Sequence, residues 1–116
     1  MEQPGISLFE DKGRVIVKIE GFARVDTAVF LKENLAQMQI THGVGIDWCA
    51  AEHIDACVLQ VLLSVRRSLT ERGLSFIVDQ DNSKVRWYLK LSGMSEYFPV
   101  RNDPHPSSPT EGGADA

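Results

Sequence analysis

The sequence predicts one α/β domain with a mostly parallel sheet, an antiparallel N-terminal edge strand and helices packed against the sheet. Apolar residues switch along the chain between a period of two and a period of about 3.6, which gives the element order ββαβαβα. The chain has 116 residues, of which 43% are hydrophobic. This length suits a single core, because two domains would each be too small to be stable. We expect the domain to cover residues 1–100.

The first part of the chain predicts a hairpin and one helix. The runs ISLFED and RVIVKIEG lie on either side of Asp11-Lys12-Gly13, and inward and outward residues alternate in the second run. A helix should follow, with Asp26 as its N-cap. Its apolar positions at helical spacing are Ala28, Leu31, Leu35 and Met38.

The rest of the domain predicts two buried strands, each followed by a helix. GVGIDW is a short apolar strand, and the helix after it ends near Arg72 at Gly73. LSFIVD is the next strand, and SKVRWYLKLSG is a helix closed by Gly93. Trp87 and Tyr88 lie in this last helix, where core packing or covering of the sheet edge is the expected role.

Composition excludes several classes of function. The formal net charge is −4 and there is no basic block, so a nucleic-acid-binding surface is not expected. No stretch approaches the roughly 20 apolar residues of a membrane span, and the N-terminus lacks the features of a signal peptide. We therefore expect a cytoplasmic chain with two reduced cysteines. Residues 101–116 are rich in proline and glycine, and we expect a disordered tail there.

The start of the central helix carries the most unusual residues. Cys57, Gln60 and Ser64 follow one another at spacings of three and four residues, so they form one polar row of the helix. This row predicts that the Cys57 thiol lies on the solvent edge. Asp55 is placed to cap the helix by accepting a backbone N–H bond from Cys57 or Val58. The thiol would then lie at the positive end of the helix dipole, a location that favours a thiolate or a phosphate.

The run from Val44 to Val100 resembles a STAS domain, the fold of bacterial anti-sigma factor antagonists, and the resemblance extends more weakly back to Ile6. The motifs that carry it are Asp47, Ile54-Asp55, Leu59, Val61-Leu62-Leu63, Arg72-Gly73, Val85, Leu91-x-Gly93-Met94 and Phe98. The resemblance implies partner switching, in which the antagonist binds an anti-sigma factor that is also a serine kinase. Phosphorylation at the start of the central helix then releases the antagonist, because a phosphate adds charge within the contact surface.

The sequence departs from the family at the residue that would be phosphorylated. The serine or threonine is replaced by Cys57, Ala56 precedes it, and Val58 stands where the family has glycine. Ser64, further along the same row, is a weaker candidate acceptor. We therefore favour a noncatalytic, constitutive interaction module that binds an anti-sigma factor/serine kinase or a phosphatase. The expected partner-binding residues are Asp55, Ala56, Cys57, Val58, Gln60 and Ser64, with Trp48 as a secondary anchor.

Two other functions stay open. One is the small cytoplasmic STAS subunit of a phospholipid-transport ABC system. The other is a thiol site at Cys57, either redox-active or metal-binding, because Cys49, His53 and Cys57 are spaced four residues apart. The sequence holds no catalytic carboxylate pair, no Ser/His/Asp set and no glycine-rich phosphate loop, so we expect neither enzymatic activity nor a cofactor.

Overall fold

The computed structural model describes residues 1–101, so the predicted tail lies outside the described residues except for Arg101. Its strands are β1 (Glu2–Gln3), β2 (Ile6–Asp11), β3 (Arg14–Ala23), β4 (Gly43–Ile54) and β5 (Ser75–Gln80). Its helices are α1 (Val25–Leu35), α2 (Ala56–Glu71) and α3 (Ser83–Leu91), followed by a 3₁₀ turn at Ser95–Tyr97. No helix in this part of the chain is both long enough and apolar enough to cross a membrane.

The five strands lie in the sheet in the same order as in the chain, from β1 to β5. The β1–β2 and β2–β3 pairs are antiparallel, whereas β3–β4 and β4–β5 are parallel. The α/β class and the antiparallel N-terminal edge are therefore confirmed. The sheet is mixed, and it includes the two-residue β1, which is too short to leave an alternating pattern in the sequence.

One face of the sheet forms the core. Side chains on this face interdigitate with the buried sides of the helices, and Trp48 packs on Phe98 with ring centroids 5.5 Å apart. Phe76 extends the aromatic cluster at 5.9 Å from Phe98. The alternation that predicted the strands arises because successive side chains point to opposite faces.

The opposite face carries an ion pair that crosses β4, the strand between β3 and β5. Arg14 on β3 donates to the Asp79 carboxylate on β5 over a distance of 2.7 Å. Gly45 of β4 lies directly beneath this pair, where a β-carbon would collide with both side chains. Arg101 binds the same carboxylate at 2.8 Å, so Asp79 joins three parts of the chain.

A C-terminal segment, residues 99–101, lies against the outer edge of β5. The Val78 N–H donates to the Pro99 carbonyl at 2.8 Å, and the Arg101 N–H donates to the Val78 carbonyl at 2.9 Å. The bridge between Val78 and Val100 is parallel. This segment partly covers a strand edge that would otherwise present unpaired backbone groups.

Four local predictions are wrong. Arg24, not Asp26, is the N-cap of α1, and Asp26 lies in the first turn; α1 also ends before Met38. The strand predicted for GVGIDW does not end at Trp48, because β4 continues to Ile54. Trp87 on α3 is 65% exposed instead of packed, because only Val85 and Leu89 of this helix are buried.

Candidate docking site

The ends of β3 and β4 bring the starts of α1 and α2 together. Phe22 pairs with His53 and Ala23 with Ile54 in the parallel ladder. The Asp55 N–H then donates to the Ala23 carbonyl at 2.8 Å. Because each strand passes directly into its helix, the first turns of α1 and α2 lie side by side at the carboxyl ends of the strands.

Asp55 is the N-cap of α2, but its carboxylate does not cap the helix. It instead lies 2.6 Å from Nε2 of His53, which precedes it by two residues. Residues two apart in extended backbone point the same way, so the imidazole reaches the carboxylate before the backbone N–H groups do. The predicted bonds to Cys57 or Val58 are therefore absent.

The structure divides the predicted partner-binding residues into three groups. Ala56, Gln60 and Ser64 are exposed, and Asp55 is half-buried. Cys57 is also half-buried and packs against the core, so the expected position on the solvent edge is only partly right. Val58 and Trp48 are each 0% exposed and cannot contact a partner in this structure.

Trp48 is buried because it follows the core-facing residue Ile46 at a spacing of two, as the pleat of a strand requires. Its indole N–H donates to Asp81 Oδ1 at 2.9 Å. Val58 is buried because the start of α2 packs its apolar row on the sheet. Both residues were assigned to the partner surface for their position near the start of α2, although the alternation along β4 and the apolar row of α2 turn their side chains inward.

Apolar side chains that the sequence did not single out surround the start of α2. Phe22 is 58% exposed and Val25 is 66% exposed, and the Arg24 guanidinium lies over the Phe22 ring at 5.3 Å from its centroid. The His53 ring also lies near Phe22, at 6.5 Å between centroids. We name Phe22, Val25, His53, Ala56 and Cys57 the helix-start surface.

A groove of about 500 Å³ lies between α1 and α2. Gln60 and Ser64 line its α2 side, and Lys32 and Ala36 line its α1 side. The structure therefore brings two of the predicted binding residues together along one groove. Val29, which is 49% exposed, lies one turn after Val25 on α1 and before Lys32.

Asn82 joins the irregular end of β4 to α3. Its side-chain amide donates to the carbonyls of Trp48, Cys49 and Ala51, the shortest bond being 2.8 Å. Its side-chain oxygen accepts from the Lys84 N–H at 2.9 Å and from the Val85 N–H at 3.4 Å. The only sequence signal for this residue is an asparagine directly before a helix, which predicts the cap but not the contacts to β4.

Asp81 links the core to the C-terminal turn. It accepts from the Trp48 indole and from Arg86 Nε at 3.0 Å. Burial would raise the pKa of Asp81, but these hydrogen bonds outweigh burial and lower the pKa. Arg86 also donates to the carbonyls of Ser95 and Phe98, which fixes the 3₁₀ turn against α3.

The thiols do not form a metal centre with their neighbours. Within residues 1–101, no three His, Cys, Asp or Glu side chains lie close enough to hold a metal ion. Cys49 is exposed, and its hydrogen bond to the Asp47 carboxylate is the main reason that its pKa is raised. A raised pKa lowers the thiolate fraction and with it the nucleophilicity of Cys49.

Comparison with known proteins assigns the family. Residues 5–106 match the STAS domain family, so the chain belongs to it and the predicted resemblance is confirmed. One similar structure is the anti-sigma factor antagonist SpoIIAA in its unphosphorylated form, with a TM-score of 0.71, 12% identity and coverage of 84% of this chain and 89% of that chain.

A second similar structure is an anti-sigma factor antagonist from Mycobacterium paratuberculosis. Its TM-score is 0.62 at 19% identity, and the match covers 90% of this chain and 92% of that chain. At identities this low, the two structural matches show a shared fold and no more. No curated protein sequence matches the chain.

Proposed function

We propose that this chain is a noncatalytic regulatory module that binds a protein partner in the cytoplasm, as an anti-sigma factor antagonist does. The proposed partner is an anti-sigma factor of the serine-kinase type, or a phosphatase of the same partner-switching system. Membership of the STAS family and the fold shared with two antagonists support this class. Asp55, Ala56, Cys57, Gln60 and Ser64 are the proposed binding residues at α2.

The observation that carries the proposal is the apolar exposure at the start of the two helices. Phe22 and Val25 are more than half exposed beside the first turn of α2. Exposed apolar side chains grouped in one place are typical of protein-binding surfaces. Phe22 is flanked by Arg24 and His53, so it would serve as an aromatic anchor within a polar rim.

Cys57 makes the module constitutive in this proposal. The position that the resemblance assigns to the phosphoacceptor has a thiol, and a serine kinase transfers phosphate to a hydroxyl. The proposed complex is therefore not released by phosphorylation at residue 57. Ser64 carries an exposed hydroxyl in the groove between α1 and α2, and any phosphorylation of the binding surface would fall there.

Affinity purification from the native cells tests the proposal. We expect the tagged chain to capture a serine kinase or phosphatase, identified by mass spectrometry. Phe22→Glu should lose this partner, because a charge replaces the aromatic anchor. Phe9→Glu is the matched control, since Phe9 is 46% exposed on β2 and lies on the face of the sheet opposite to the core.

Two outcomes would contradict the proposal. Capture of the partner by Phe22→Glu at the wild-type level would remove the helix-start surface from the interface. Recovery of a transport ATPase in place of a kinase or phosphatase would instead assign the chain to a phospholipid-transport system.

The substitution Cys57→Ser tests the constitutive part of the proposal. With the captured kinase and ATP, we expect intact-mass spectrometry to show one phosphate on Cys57→Ser and none on the wild type. The same comparison in a Ser64→Ala background separates the two hydroxyls. Equal phosphorylation of wild type and Cys57→Ser would contradict a switch lost at residue 57.

A further inference from the structure

A second groove, of about 520 Å³, lies between α2 and α3. Ile54 at the end of β4 forms part of its floor, and the first two turns of α3, after β5, form one wall. The groove therefore opens at the carboxyl ends of the parallel strands, which is where α/β proteins bind small ligands. Its volume lies within the range of ligand pockets.

The groove is apolar inside and aromatic at one side. Ile54, Leu59 and Val85 line it and are each at most 5% exposed. Trp87 and Tyr88 also line it, although they are 65% and 39% exposed. Two large aromatic side chains exposed beside an apolar floor leave contact area that an apolar ligand would cover.

Besides the aromatic rings, the groove is lined by the polar residues Glu52, His53, Ser83 and Lys84. Lys84 Nζ is 3.3 Å from Glu52 Oε1, and Ser83 is next to this pair at the start of α3. The Lys84 and Glu52 side chains are 71% and 56% exposed, so their ion pair is weak and readily exchanged. The positive end of the α3 dipole adds to the charge of Lys84 and favours an anionic group there.

We propose that the groove between α2 and α3 binds an amphipathic monocarboxylic acid. The apolar part of the ligand lies on Ile54, Leu59 and Val85 and against the rings of Trp87 and Tyr88. The carboxylate replaces Glu52 as the partner of Lys84 and accepts a hydrogen bond from the Ser83 hydroxyl. His53 lines this groove and also belongs to the helix-start surface. The variants used below leave His53 unchanged, so the two proposals can fail separately.

The two tryptophans of the chain provide the measurement. Trp48 is 0% exposed and Trp87 is 65% exposed, so a ligand in the groove changes the environment of Trp87 alone. We would titrate the full chain with sodium decanoate and follow the emission wavelength. The expected result is a saturable blue shift that disappears in Trp87→Phe, while calorimetry of that variant still detects binding.

Substitutions at the start of α3 locate the site. Ser83→Phe should abolish binding, because Ser83 is exposed and a ring there fills the groove. Ser92→Phe is the matched control, since Ser92 is exposed at the other end of α3 and does not line the groove. Lys84→Ala should weaken decanoate about two- to fivefold, as expected for one exposed ion pair, and leave decanol unchanged.

Three results would overturn the proposal. The absence of a saturable shift and of heat with decanoate would remove the site. Undiminished binding to Ser83→Phe would place the ligand elsewhere on the chain. Decylammonium binding as tightly as decanoate would show that the polar end does not select a carboxylate.

Discussion

At the scale of single residues, Asn82 joins two elements through the hydrogen bonds of one side chain. Its side-chain NH₂ group donates to three carbonyls of β4, and its side-chain oxygen caps α3. Buried or half-buried carbonyls without a partner are costly, so this residue determines whether β4 can deviate from regular pairing and still connect to α2. It also positions Ser83 and Lys84 at the groove between α2 and α3.

We expect Asn82→Ala to lower the free energy of unfolding by about 2 kcal/mol, through loss of the cap and of the bonds to β4. Urea unfolding measures the change, and hydrogen exchange should show earlier opening at Cys49 and Ala51. Asn34→Ala is the control, because Asn34 makes one bond, to the Phe30 carbonyl in its own helix, and should change stability by less than about 1 kcal/mol. Equal losses in the two variants would contradict a special role for Asn82.

Asp81 gives stability a dependence on pH. Its pKa is lowered in the folded state, so it contributes stability above its ordinary value of 3.8 and loses that contribution as the pH falls through the folded pKa. We expect Asp81→Asn to cost about 1–3 kcal/mol at neutral pH. This difference in unfolding free energy should shrink below pH 4, as followed by denaturant titrations at several pH values. A difference that does not change with pH would contradict the charged role of Asp81.

At the scale of elements, β4 shows what periodicity can and cannot predict. Its first six residues, GVGIDW, are mostly apolar and were predicted as strand, but the strand continues through Cys49, two alanines, Glu52 and His53 to Ile54. The register of β4 against β3 shifts twice in this stretch. The shifts break the alternation of buried and exposed side chains, which is the pattern that identifies a strand in a sequence. Contacts from Asn82, distant in sequence, hold the extension, and a local pattern cannot report them.

The same limit applies to side chains at the helix starts. The N-cap position of Asp55 was predicted correctly, because an acidic residue before an apolar run is a local signal. Its hydrogen bond to His53 was not predicted. The Asp55 carboxylate can bind either the backbone N–H groups of α2 or the His53 imidazole, and only the structure shows which of the two it meets. The exposure of Trp87 was also missed, because helical spacing identifies the faces of a helix but not which face the sheet covers.

A substitution at Gly45 tests how closely the Arg14–Asp79 ion pair packs on β4. We expect Gly45→Ala to cost about 1–3 kcal/mol in unfolding free energy, since the methyl group would displace Arg14 and Asp79. In an Arg14→Ala/Asp79→Ala background the same change should cost less than about 1 kcal/mol, because nothing then occupies the space. A thermodynamic cycle from urea unfolding measures both. The same cost in both backgrounds would show that the pair is not the obstacle.

At the scale of the whole molecule, the C-terminal segment closes the domain. Phe98 is buried between Trp48 and Phe76, and the next three residues bind the edge of β5. Arg101 then reaches Asp79 with two nitrogen atoms, at 3.0 and 2.8 Å. The predicted domain boundary at residue 100 therefore falls within a segment that contributes contacts to the fold.

Truncation tests this contribution. A chain that ends at Arg101 keeps all the contacts described above and serves as the reference in urea unfolding. A chain that ends at Phe98 should be less stable by about 2 kcal/mol, because the bonds to Val78 and Asp79 are lost. Equal midpoints for the two truncated chains would contradict a stabilising role for residues 99–101.

The sheet order, in which every strand lies beside its neighbour in the chain, has a consequence for folding. Each strand can pair with one already formed, so the sheet can grow in the direction of synthesis without any strand waiting for a distant partner. The two parallel pairs form after their crossover helices have emerged. The edge of β5 gains its cover last, so a nascent chain that stops before residue 99 leaves that edge open to other chains.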